Sequence, residues 1–184
     1  MILHRCFAWR AGAAQTERDG PLWVPREYQG DGRHDNPDRY GCLYLSVDAV
    51  SAVVEQLARF RSQRLVPGLL RRRGLPLALG ALELADEAVL VDLDDPRVLR
   101  RERLRPSLVA TRQRDVTQPQ ARRIHERHAD AAGLRWWSTF EAVWTNVTLF
   151  DRAAPLLRVR DLGALTVEDA VIAEAAQFLG MRVG

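Results

Sequence analysis

The run GRHDNPDRYGCLYLSVDAVSAVVEQ, Gly32–Gln56, constrains the fold more than any other part of this sequence. A polar loop gives way to a brief strand at Cys42–Leu45, and Ser46 is suited to N-cap a helix running to about Arg61. Val50, Val53, Val54 and Leu57 recur at helical spacing and make its core stripe. Glu55 lies well off that stripe at about 100° per residue. Two readings follow: a surface glutamate, or a helix with one face on the core and the other lining a cleft beside Ser51 and Ala52. The pattern does not choose between them.

Other signals are just as interspersed. Ile2–Trp9 reads as an opening strand, and Gly12–Gly32 carries the turn formers Gly20, Pro21, Pro25 and Gly30 of a long irregular segment. Irregular segments of that length inside a domain are often functional. A short strand at AVLVDL and a third strand around Ser107–Ala110 follow. Thr117 with Gln120 fits a capping box opening a helix that ends at Gly133. Trp136–Phe140 and Asn146–Phe150 read as the last strands. Thr166 caps a final amphipathic helix, Val167–Leu179, with Val167, Ala170, Val171 and Phe178 on one face, expected to dock on the chain's own core. Regular βαβ alternation is absent, so the predicted class is α+β in a single domain.

A hydrophobic fraction of 47% with 28% charged residues is that of a globular chain with a substantial core. The longest apolar runs, such as Leu75–Leu82, are far too short to span a bilayer, and Arg5 and Arg10 interrupt any signal-like N-terminus, so the expectation is a cytoplasmic protein with no membrane contact. Cys6 and Cys42 have no metal-ligand spacing and are expected to be packed thiols. The sequence contains no lysine, so all 27 cationic side chains are arginine, yet a net charge of +3 is too small to argue for nucleic acid.

Common nucleotide, acyl-transfer and zinc motifs are missing. His125 and His128, with Glu126 between them, sit at i and i+3, but Arg122, Arg123 and Arg127 would repel a cation; a solvated helix face is preferred and no metal is assigned. For Arg71–Arg73 and the second arginine cluster, solvated loops and pairing with Glu83, Asp86, Glu87, Asp92, Asp94, Asp95 and Glu102 are preferred over phosphate contacts. Trp136 and Trp137 are read as core.

Taken in order, Gly32, Arg33, Asn36, Pro37, Leu43, Tyr44, Leu45, Ser46 and Glu55 resemble the RES domain, the toxin half of bacterial RES-Xre toxin-antitoxin pairs. The likeness extends to the Arg5 strand, to TQPQARRIHERHADAAGLRWWS and to NVTLF. It gives a core resemblance over residues 3–150 of a domain spanning 1–184, with a C-terminal helical extension at 151–184. The resemblance implies an ADP-ribosyltransferase-like mixed sheet with flanking helices. It also implies NAD+ as substrate without a metal, and a toxin that cleaves the nicotinamide–ribose bond by hydrolysis or phosphorolysis.

Carried over by position, Arg33, Tyr44 and Glu55 are the expected catalytic residues, and Arg33, Tyr44, Ser138 and Asn146 the expected NAD+ contacts. A carboxylate such as Glu55 suits the oxocarbenium character that develops on the ribose. An arginine fork suits a pyrophosphate or neighbouring carboxylate, a tyrosine ring suits nicotinamide, and Ser138 can hydrogen-bond an amide or ribose hydroxyl. The spacing from Arg33 to Tyr44 is one residue longer than the family form, which leaves Tyr40 as the alternative tyrosine. The implied partner is an Xre-type helix-turn-helix antitoxin, with nucleic acid met only through it. Two other functions stay open: ADP-ribose transfer to a protein, and a non-enzymatic arginine-rich nucleic-acid-binding module.

Overall fold

The apolar opening residues form strand β1, Ile2–Ala8. In the computed structural model, which describes residues 1–183, the chain continues through β2 (Cys42–Ser46), α1 (Ala49–Leu57), β3 (Arg64–Leu65), β4 (Arg71–Arg72), β5 (Leu75–Leu84) and β6 (Leu90–Asp92). Then come α2 (Pro96–Glu102), α3 (Pro106–Val109), α4 (Arg114–Arg127), β7 (Gly133–Trp137), β8 (Thr145–Phe150), β9 (Leu157–Ala164), α5 (Ala170–Phe178) and β10 (Arg182–Val183). The class is α+β, with a mixed sheet and flanking helices, as the interspersed signals predict. The segment between β1 and β2 is irregular apart from a short 3-10 turn at Arg26–Tyr28. No helix among the described residues is long and apolar enough to cross a membrane.

The chain gathers into two compact units. The first comprises Met1–Trp23, Leu45–Glu83 and the stretch from Arg158 onward; the second comprises Val24–Tyr44 and Leu84–Leu157. In the first, β5 runs antiparallel to β1, with Leu3 opposite Leu82 and Ala8 opposite Leu77, and it also pairs with β4 and β9. The apolar face of α1 packs on β1 and α5, where Leu3, Val53, Val54, Leu57, Ile172 and Ala175 are fully buried. Each of the buried valines, leucines and isoleucine contributes about 1.5–3 kcal/mol relative to an exposed one. Arg5 is buried in the same unit: its guanidinium donates to the carbonyls of Pro21 and Trp23 and lies over the Phe7 ring, which ties the irregular segment to β1.

In the second unit β7 lies between β6, parallel, and β8, antiparallel. A parallel pair needs a crossover, and α2, α3 and α4 supply it between β6 and β7. Their apolar residues Leu99, Val109, Ala121 and Ile124 pack with Leu134, Phe150 and Tyr40 in one core.

Several elements differ from their sequence reading, each for a local reason. Asp48, not Ser46, caps α1, because its carboxylate accepts from the Ser51 N–H while Ser46 is still in β2. Ser51 and Ala52 are buried, while Glu55 is exposed. Residues 106–109 form a helical turn led by Pro106 instead of a strand. Thr117 lies inside α4, which begins at Arg114; its hydroxyl donates to the Arg33 carbonyl, a tertiary use that mimics a cap in sequence. The stretch after Phe150 is not purely helical: Leu157–Ala164 is a strand whose first residues alternate apolar and basic. The final helix starts at Ala170, with Thr166 N–H bound by the Asp169 carboxylate. That later start puts Ile172, Ala175 and Ala176 on the buried face, and leaves Ala170 exposed and Val171 and Phe178 partly so.

Candidate functional site

The loop before β2 is organised by Asp35, a buried carboxylate. Its Oδ2 accepts from the N–H groups of Gly30 (2.8 Å) and Gly32 (2.7 Å), and its Oδ1 accepts from the Tyr44 hydroxyl (2.6 Å). That hydroxyl accepts in turn from the His34 N–H at 2.9 Å. A Cβ at residue 32 would stand 2.5 Å from both Asp35 Oδ1 and Tyr44 Oη, so the close approach requires glycine.

Arg33, next in line, is buried. Its Nη1 donates to the Val109 carbonyl (3.0 Å) and to that of Thr111, and its guanidinium carbon lies 4.8 Å from the centre of the Trp136 ring. Cation–π contact and carbonyl acceptors together fix the plane of the fork. His34 meets Trp136 edge-on at 5.2 Å, and its Nδ1 is 2.8 Å from Thr148 Oγ1; the same hydroxyl oxygen accepts from Trp136 Nε1 at 3.1 Å.

Trp136 stands directly opposite Asn146 in the β7–β8 ladder, and Thr148 lies two residues further on, so the three side chains share a face. Ser138, just past β7, is buried at 2% exposure; its N–H donates to the Trp144 carbonyl and its Oγ accepts from the Phe140 N–H. Asn146 is equally buried. Arg33, Tyr44, Ser138 and Asn146 therefore all belong to the second unit, with Arg33 and Asn146 both at Trp136. Glu55 belongs to the first unit, on the exposed face of α1.

The two candidate tyrosines part company here. Tyr40, at 1% exposure, is a core residue: it stacks on His125 at 4.3 Å, and its hydroxyl donates to the His34 carbonyl and accepts from Asn36 Nδ2. Tyr44 is only partly buried and packs at the edge of that core. Of the two, Tyr44 is the more exposed residue.

Protonation in the loop is set mainly by burial. Burial, with the charges of Cys42 and Asp35, pushes the Tyr44 phenol well above its ordinary range. Burial, with the cations Arg33 and Arg114, holds His34 well below the usual imidazole value. At neutral pH the loop thus presents a neutral phenol and a neutral imidazole.

The remaining histidines have structural partners. Besides the Tyr40 stack, His125 meets Phe150 edge-on at 4.8 Å. His128 Nε2 lies 2.9 Å from Glu102, whose fully buried side chain also takes Arg101 and Arg127. Neither imidazole lies on the solvated face expected for it. No group of three or more potential metal ligands occurs among the described residues.

His34, Asp35 and Thr148 are the site residues that sequence reasoning missed. Asp35 left one signal, an acidic residue just after the paired glycines Gly30 and Gly32 in a turn-rich loop. Thr148 left none, because its partner is 114 positions away.

Compared with known proteins, residues 7–169 match the sequence model of the RES domain. Among solved structures, the chain is similar to one in the crystal structure of the M. tuberculosis MbcT-MbcA toxin-antitoxin complex. The TM-score is 0.61 at 14% identity, covering 98% of this chain and 89% of that one. At that identity the likeness carries the fold. No curated protein sequence matches.

Proposed function

The chain belongs to the RES domain family, and from that premise we propose that it is the toxin of a bacterial toxin-antitoxin pair and acts by breaking the bond between nicotinamide and ribose in NAD+. The observation that carries this reading is the continuous family match over residues 7–169, which takes in Arg33, Tyr44, Glu55, Ser138 and Asn146 together. Two features of the geometry support it. A rigid arginine fork stands at Trp136 beside buried polar residues of one strand pair, and a partly buried tyrosine is fixed in the same loop as the arginine. A glutamate is also held off the core face of its helix.

In the proposed reaction the C1′–N bond electrons leave with nicotinamide, whose ring nitrogen loses its positive charge, so little general acid is needed. Positive charge passes to the ribose, and Glu55 stabilises it electrostatically. Water or phosphate then bonds to C1′ and releases a proton. Tyr44 contributes its ring face and not a proton, since its hydroxyl is committed to Asp35 and its phenol is held protonated. Arg33 orients the substrate from a fork fixed by two carbonyls and an indole. Ser138 and Asn146 supply hydrogen bonds to the nicotinamide amide or the ribose. The partner in this reading is an Xre-type helix-turn-helix antitoxin that covers the site, as the other half of a toxin-antitoxin complex would.

Incubating the purified protein with NAD+ and measuring nicotinamide release tests the proposal. Because Glu55 is exposed, Glu55→Ala leaves the fold intact, and release is expected to fall by about 10²-fold or more. Undiminished NAD+ consumption by the folded variant would refute it.

A further inference from the structure

The arginine triplet 71–73 does not pair as its sequence surroundings suggest. Arg73 alone finds a carboxylate there, Asp19 at 2.8 Å. Three of the acidic residues considered for local pairing are engaged elsewhere: Glu83 with Arg160, Asp92 with Arg135, and Glu102 with Arg101, Arg127 and His128. The hydrogen bonds of Arg71 and Arg72 go to neutral oxygens, the Gly74 carbonyl at 2.5 Å and Gln56 Oε1 at 2.9 Å. Arg59, on the turn that extends α1, donates to the Gln56 carbonyl at 3.2 Å. All three arginines line one shallow concavity, open to solvent, with Phe60 and Leu77 among its walls and no acidic residue in its lining.

We propose that the concavity lined by Arg59, Arg71 and Arg72 is a binding site for a phosphoryl group, as free phosphate or as a phosphate monoester. Three cations around one hollow repel one another; burial, with Arg59 and Arg73 close by, already pulls Arg72 below the ordinary guanidinium range. An anion seated among them removes that repulsion. A tetrahedral oxyanion suits the site better than a carboxylate: it offers a separate oxygen to each of three arginines, whereas a carboxylate has only two. Gln56 holds Arg72 in place before the ligand arrives, which lowers the ordering cost of binding. The three arginines meet at one hollow, which suits a single phosphoryl group, whereas a surface that follows a nucleic-acid backbone needs several phosphate contacts in a row. The site lies wholly in the first unit and is independent of the NAD+ reading.

Calorimetric titration of the full chain with inorganic phosphate at low ionic strength tests this. Saturable single-site binding is expected, weakened about tenfold or more by Arg72→Ala or Arg59→Ala. Arg72→Lys, which keeps the charge and loses the fork, should weaken it as well. Arg160→Ala, which removes the same charge from a residue already paired with Glu83, should leave it unchanged. Parallel titrations with adenosine monophosphate identify the source: tighter binding than phosphate assigns a monoester, and equal binding assigns free phosphate. The proposal is overturned by absence of saturable phosphate binding, or by equal weakening in Arg160→Ala. It is also overturned if a single-stranded oligonucleotide binds with affinity that grows with length while neither small phosphate does.

Discussion

At the scale of single residues, the loop before β2 is held by one carboxylate with three donors. Asp35 takes two backbone N–H groups and the Tyr44 hydroxyl, all while buried at 4% exposure. Asp35→Asn keeps the shape but replaces one acceptor oxygen with a donor, which faces either the glycine amides or the phenol. Hydrogen bonds to a buried charge contribute about 1.5–3 kcal/mol each, and leaving donors unsatisfied adds to the loss. Asp35→Asn should therefore cost about 3 kcal/mol in urea unfolding, and Tyr44→Phe, which removes only one of the three donors, about 1–2 kcal/mol. The reverse order would mean that the phenol, not the amide pair, anchors the loop. The candidate residues Arg33, Tyr44, Ser138 and Asn146 come from a family pattern in which type and order suffice. The residues that position them were not legible in the sequence, because the bonds from His34 to Thr148 and from Thr117 to Arg33 join positions far apart in sequence.

At the scale of elements, hydropathy period and capping chemistry found β1, β2, α1, β7 and β8 to within a few residues. They failed where a different force governs. Leu75–Leu84 is apolar at nearly every position, so the alternation of its burial, with Gly80, Leu82 and Leu84 buried and Leu79, Ala81 and Glu83 only partly so, leaves almost no period-two signal in the sequence. Ser107–Ala110 is apolar enough for a strand, but Pro106 at a first helical position starts a turn. The β7–β8 pair also carries a constraint that only the assembled ladder reveals. A Cβ on Gly133 would lie 2.2 Å from the Thr148 carbonyl oxygen and 2.9 Å from Leu149 Cα, both main-chain atoms of the partner strand. Neither can yield as a flexible side chain would, so Gly133→Ala must displace β7 from β8. The expected cost is about 3 kcal/mol or more, with altered near-ultraviolet dichroism from Trp136 and Trp137. A variant as stable as the parent, with unchanged dichroism, would show that the ladder accommodates the methyl group.

At the scale of the whole molecule, each unit is stitched from separate stretches of chain, three in the first and two in the second. Uniform composition gave no hint of two units: one boundary falls at Trp23–Val24 in the irregular segment, and the others fall inside β2, at the end of β5 and at the start of β9. Three of the four histidines are held below the ordinary imidazole value, His4, His34 and His125, each chiefly by burial. An imidazole whose folded value lies below its unfolded value of about 6.5 binds fewer protons when folded, so stability is full above that pH and falls as acid protonates the unfolded chain. The window runs from about 6.5 down to each folded value, and within it one such histidine removes up to about 1.4 kcal/mol per pH unit. His34 should dominate, being the most deeply buried and flanked by Arg33 and Arg114. Glu102 acts in the same sense at lower pH. Burial pushes its carboxyl up, but bonds from His128 and Arg101 outweigh that and hold it below the ordinary value, so its contribution persists above about 4.5 and is lost as pH falls through the folded value. Urea unfolding between about pH 7 and pH 5 should show stability declining with acid. His34→Gln should be less stable at neutral pH, having lost the Thr148 contact in its native form, yet decline more shallowly by up to about 1.4 kcal/mol per unit. Parallel curves for the two proteins would mean that His34 protonates in the folded state, and with it that the loop around Arg33 and Tyr44 opens to water without unfolding.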